Sequence, residues 1–140
     1  MTLVIDAAPL IALSDRADPR RDEVRRVLAS EPGRLVIPAT VTAEVDYILR
    51  QRAGRAAARA FLADLASASF LVESLTVEEH GMALEIDQRY PRLDVGLADL
   101  SIVVLAHRLG VKRLLTFDER HFRVLGPVSG GTFQLLPADG

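Results

Sequence analysis

Residues 95–122 run VGLADLSIVVLAHRLGVKRLLTFDERHF, and inside this stretch a helical period gives way to a strand. Asp99, Ile102, Val103 and Ala106 fall at helical offsets and so share one face. The spacing predicts a helix over 95–109, stopped by Gly110. Leu114-Leu115 then forms the apolar centre of a short buried strand, and Asp118 follows its end. The same alternation extends outward. Apolar runs at Leu3–Ile5, Leu35–Ile37 and Phe70–Val72 predict further buried strands, with Phe133–Leu136 a weaker fifth. Helical patterns fill the intervals. One opens at Asp18-Pro19 and closes at Pro32-Gly33, with Val24, Val27 and Leu28 facing inward. A second runs from near Thr40 to Gly54, carrying Val41, Val45, Ile48 and Leu49 on one face, and others span Arg55–Ala68 and Val77–Arg89. Strands alternating with helices imply an α/β/α sandwich around a central, mainly parallel sheet of four or five strands.

A chain of 140 residues is large enough to bury a real core, and one domain over 1–140 is expected. Cysteine is absent, which excludes thiol catalysis, cysteine-ligated zinc and a disulfide framework. The net charge of −2 sets up no overall basic field. Residues 1–17 mix Asp6, Asp15 and Arg16 with apolar residues, so neither a signal peptide nor a membrane span is expected there, and the protein reads as cytoplasmic. Lys112 is the single lysine among seventeen basic residues. Such a bias favours bidentate phosphate contacts, and it is equally a product of a GC-rich genome.

Four carboxylates occupy unusual places. Asp6 closes the run Leu3-Val4-Ile5, Asp118 follows the strand at Leu114-Leu115, and Glu44 and Asp99 lie in the apolar stripes of predicted helices. A buried carboxylate is costly to keep ionised unless it is paired or holds a metal. In open parallel sheets, moreover, ligands bind beyond the carboxyl ends of the strands. The four acids are therefore expected to converge at that rim. Each also has a plainer reading. Asp6 can end a strand and start a turn. Glu44 can be a first-turn acid favoured by the helix dipole. Asp99 can be a core aspartate paired with an arginine, or one half-exposed near the helix start. Asp118 can enrich the first turn of a helix that Thr116 and Glu119 cap as a box. Asp94, just upstream of Asp99, is expected to cap its helix, with membership of the cluster as the alternative. His80, His107 and His121 share no metal-ligand spacing and read as structural. P-loop and GxGxxG motifs are absent, and Ser14 and Ser101 have no evident histidine partner.

Clustered carboxylates either share protons or bind cations. An all-oxygen site suits Mg²⁺, with Mn²⁺ as a substitute, rather than zinc. Metal held in this way orients a phosphodiester and activates water. Two arginine-rich stretches, Arg20, Arg21, Arg25 and Arg26, then Arg50, Arg52, Arg55 and Arg59, offer phosphate contacts around such a centre, or are simply solvated faces.

LVIDAAPLIALS, VTAEV, LADLSIVVLAHRLG and LLTFDERHF together resemble the four acidic motifs of PIN-domain ribonucleases, and the length resembles the VapC-type toxins of toxin–antitoxin pairs. The resemblance covers nearly the whole chain, and the last two motifs are its most specific part. It implies a single PIN-like domain and metal-dependent endonucleolytic cleavage of tRNA or rRNA by activated water. It also implies a cognate antitoxin, a homodimer or a toxin–antitoxin hetero-oligomer, and no membrane association. Asp6, Glu44, Asp99 and Asp118 match the four acidic positions, with Asp6 and Asp99 as the direct Mg²⁺ ligands, and Thr116 matches a hydroxyl position beside the fourth acid. Ala7 and Ala8 depart from the pattern, since the family often has Ser or Thr after the first aspartate. Two other readings stand beside this one. They are a non-catalytic PIN-like interaction module and an aspartate-based phosphatase or phosphoacceptor, the latter disfavoured because no acidic pair follows the first strand.

Overall fold

A computed structural model of the protein describes residues 2–140. Five parallel strands, β1 (Thr2–Ile5), β2 (Arg34–Pro38), β3 (Leu71–Glu73), β4 (Arg113–Leu115) and β5 (Gln134–Leu136), form one sheet in the order β3-β2-β1-β4-β5. The helices are α1 (Ala7–Ser14), α2 (Arg21–Ser30), α3 (Ala39–Arg52), α4 (Arg55–Ala66), α5 (Val77–Arg89), α6 (Leu97–Leu109) and α7 (Glu119–Leu125). This is the expected α/β/α sandwich with five strands. Among the described residues, no helix is long and apolar enough to cross a membrane.

β1 and β4 are neighbours, with Ile5 opposite Leu115. They bring the ends of two strands 110 residues apart in sequence side by side, as the bond between Thr116 and Asp6 records. Leu3, Val4, Ile5, Leu114 and Leu115 are all buried, as expected of central strands covered on both faces. α6 is the most buried helix, with Leu100 through Ala106 inside, and Gly110 closes it in the left-handed conformation (φ 66°). A side chain there would be strained, so glycine suits this stop.

Three expectations change. The sequence pattern misses α1, because residues 7–14 are apolar almost throughout and carry no 3.6-residue alternation. The helix is buried on most sides, and Pro9 sits in its first turn, where a missing N–H costs nothing. β3 is an edge strand with Leu71 and Val72 exposed, not a buried one. The helix expected from Asp18-Pro19 starts at Arg21, because Asp18 and Pro19 form the preceding turn.

Candidate active site

Asp6 sits where β1 gives way to α1. Its backbone N–H donates to Leu115 O at 2.9 Å, extending the β1–β4 ladder by one bond. Its side chain caps α1, with Oδ1 accepting from Ala7 N at 2.7 Å, while Oδ2 accepts from Thr116 Oγ1 at 2.7 Å. Thr116 is itself buried, and its hydroxyl also accepts from Asp118 N at 3.0 Å. One hydroxyl thus ties the first acid to the segment carrying the fourth. Burial pushes the Asp6 carboxyl above its ordinary range, the bonds from Thr116 and Ala7 oppose that rise, and the negative Asp118 adds to it.

Asp99 lies in the first turn of α6, and Asp118 is the N-cap of α7, with Oδ1 accepting from His121 N at 2.9 Å. His121 Nδ1 stands 3.0 Å from Asp99 Oδ2 and 2.8 Å from Asp118 Oδ2. Burial, followed by the negative charge of Asp6, pushes Asp99 up to about 6, and the bond from His121 opposes the shift. Donor atoms of Asp99, Asp118 and His121 all lie within 4.8 Å of one another.

Glu44 belongs to the same electrostatic neighbourhood but stands at its mouth. Partial burial raises its carboxyl, and the charge of Asp6 raises it further. It is exposed, contrary to the expected place in the apolar stripe. The buried stripe of α3 is Val41, Val45 and Leu49, four residues apart, so Glu44 and Ile48 flank it. The structure thus joins Asp6, Asp99 and Asp118 closely, with Glu44 beside them.

Asp94 and Thr116 depart from their expected capping roles. Gly96 holds the N-cap of α6 without a side-chain bond, and Asp94 is exposed two residues earlier. Thr116 does not cap α7; Asp118 does, and the Thr116 hydroxyl, while donating to Asp6, accepts from Asp118 N just ahead of the helix. His121, read from sequence as structural, stands between two of the acids. The signal for it was local: Asp118 and His121 are three residues apart at a helix start, a spacing that brings side chains together.

Of the arginines in the two arginine-rich stretches, Arg20 is tied to this rim by its contact with Phe117. Its guanidinium carbon lies 3.4 Å from the ring centroid of Phe117, the residue between Thr116 and Asp118, and its Nε pairs with Glu23 at 3.2 Å. Arg50 pairs with Asp46 on the surface of α3, as its spacing predicts. Arg25 and Arg55 are exposed.

The donor set fits a divalent cation. It consists of carboxylate oxygens with one imidazole, and three of its members converge within metal-binding reach. Burial is the first cause of the upward shifts of Asp6, Glu44 and Asp99, and the neighbouring carboxylates add to each, a repulsion that a cation would relieve.

The family model of the PIN domain matches residues 3–126. Ribonuclease VapC26 of Mycobacterium tuberculosis is 35% identical over 135 residues, 96% of this chain and all of that protein. Among solved structures, Mycobacterium tuberculosis VapC20, described as a sarcin-ricin loop cleaving toxin, has a TM-score of 0.78 at 24% identity, covering 84% of this chain and 91% of its own. VapBC2 from Rickettsia felis, solved with a DNA fragment from its promoter, has a TM-score of 0.66 at 16% identity, covering 84% and 89%. Both structures share the fold.

Proposed function

Because the chain belongs to the PIN-domain family, among its VapC-type ribonuclease toxins, we propose that it is a Mg²⁺-dependent endoribonuclease that cuts structured RNA, tRNA or rRNA. The observation that carries this reading is the bonded set Asp6–Thr116–Asp118 with Asp99 and His121 beside it. Asp6 and Asp99 are the direct ligands of the ion, with Asp118 and Glu44 completing the negative pocket. When bound, Mg²⁺ supplies a more acidic water and a counter-charge for the phosphate, and Mn²⁺ serves as a substitute. The chain's own residues set the stage for that chemistry. Thr116 holds Asp6 Oδ2 in place, and the Asp6 cap on α1 fixes the other oxygen. His121 holds Asp99 and Asp118 together and brings the one imidazole into the cluster. Arg20, steadied by Phe117 and Glu23, is a phosphate contact at the rim, and Arg25, Arg50 and Arg55 add charge farther along.

As a VapC-type toxin the protein acts in the cytoplasm, as a homodimer, and is neutralised by a cognate antitoxin in a hetero-oligomer. Total RNA incubated with purified protein in Mg²⁺, Mn²⁺ or EDTA tests the enzymatic part. Cuts are expected with either metal and none with EDTA, and D6N and D99N should both abolish them. Cutting that persists in EDTA or in both variants would overturn the reading. Co-purification with the product of an adjoining short gene, and loss of cutting in that complex, tests the antitoxin.

A further inference from the structure

We propose that the cavity between the α5–α6 loop and α7 is a subsite for one unstacked nucleobase of the RNA. This rests on the ribonuclease reading and deepens it. The cavity measures about 380 Å³ and is lined by Arg89, Tyr90, Pro91, Arg92, Leu93 and Val124. That volume falls in the lower range of small-ligand sites, enough for a base with its ribose.

The lining combines two chemistries. Tyr90, Pro91, Leu93 and Val124 supply an apolar surface, with Tyr90 and Leu93 partly packed on the core and Val124 exposed. Arg89 and Arg92 are exposed beside it, and among the described residues neither makes an ion pair. A flat apolar ring joined to phosphates is the ligand that satisfies both, since bases stack on aromatic rings while guanidinium groups hold the backbone. A bare anion would leave the apolar surface unused.

The loop is built to hold this shape. Tyr90 N donates to Asp87 O at 3.2 Å at the end of α5, and Leu93 N donates to Tyr90 O at 3.0 Å, closing a tight turn that carries Arg92, with Arg89 ending the helix just before it. Continuity with the acid cluster comes through α7. Phe122 and Leu125 face the core, and His121 and Val124, three residues apart, take neighbouring positions on one flank. A base seated against Val124 therefore belongs to a nucleotide flanking the phosphodiester over Asp99 and Asp118. The subsite gives the enzyme a means of choosing where a single-stranded stretch is cut.

The composition supplies a clean test. The chain has no tryptophan and two tyrosines, Tyr47 and Tyr90, so Y47F leaves Tyr90 as the sole tyrosine emitter. Tyr47 is an exposed residue on α3, and its change leaves the cavity intact. Tyrosine emission of Y47F is titrated in EDTA with the four ribonucleoside 5′-monophosphates and with ribose 5-phosphate. Saturable quenching is expected from the nucleotides, about tenfold tighter than any effect of ribose 5-phosphate. V124E, and separately the double variant R89A and R92A, should each weaken it about tenfold. On total RNA with Mg²⁺, V124E should raise KM and redistribute the cuts while kcat changes less than about twofold. Absence of saturable quenching, or equal quenching by ribose 5-phosphate, overturns the subsite even if the protein cuts RNA. Quenching by nucleotides from a protein that cuts no RNA would support the pocket and overturn the enzymatic reading alone.

Discussion

At neutral pH, Asp99 is ionised against its surroundings, because burial and the charge of Asp6 both favour its proton and His121 opposes them only in part. A carboxyl raised to about 6 binds its proton more tightly in the folded protein than in the unfolded chain. Stability contributed by that proton is present at low pH and is lost as pH climbs from about 4 to about 6. D99N removes the penalty while keeping an oxygen for His121. We expect the variant to be more stable than the parent at pH 7 by about 1–2 kcal/mol, after allowance for the partial exposure of the site, and to show a flatter pH dependence in that window. Urea unfolding across pH 4–8 measures both. Thr116 makes the opposite case. T116A leaves a buried Asp6 oxygen without its donor, so a loss of about 1–3 kcal/mol is expected, and T116S should recover most of it. If the serine variant is no better than alanine, methyl packing rather than the hydroxyl holds this position. Asp6 was legible as a candidate site residue because it ended an apolar run. His121 was not, because one histidine on a short helix acquires meaning only from what it touches.

Helices and strands were readable where their pattern had contrast. α5 was bounded from sequence at Val77 and Arg89, and the structure adds a full capping box, with Thr76 Oγ1 accepting from Glu79 N and Glu79 returning to Thr76 N. T76A should cost about 1 kcal/mol in urea unfolding, and T76S close to nothing. An unchanged midpoint for T76A would mean that Arg108, which pairs with Glu79 at 3.3 Å, secures the helix start without the cap. α1 had no contrast to read, since a helix buried nearly all round and an extended apolar run look alike in sequence. The reverse error occurred at β3, where Phe70-Leu71-Val72 has the composition of an interior strand and lies at the sheet edge, with only Phe70 buried.

Across the whole molecule, the site depends on β1 and β4 lying next to each other. Arg113 at the start of β4 pairs with the buried side chain of Glu31 at the end of α2, linking segments 82 residues apart at the opposite end of the strand from Thr116. R113M strands that carboxylate, and we expect a loss of about 3–5 kcal/mol in unfolding, with E31Q milder because it buries no charge. Equal losses would show that the pair contributes through packing. Taken by itself, the sequence determined the alternation of strands and helices, the α/β class with four or five strands, the PIN resemblance and the position of three of the four acids at element ends or starts. These are local properties, set by side-chain period, turn chemistry and the cost of placing charge among apolar neighbours. Only the tertiary structure decided that Thr116 bonds Asp6, that His121 joins Asp99 to Asp118, that Asp94 does not cap α6 and that Glu44 is exposed beside the buried stripe of α3. Those outcomes follow from sheet order and from how each helix rotates onto the core, and both are settled by the packing of distant segments rather than by residues nearby in the chain.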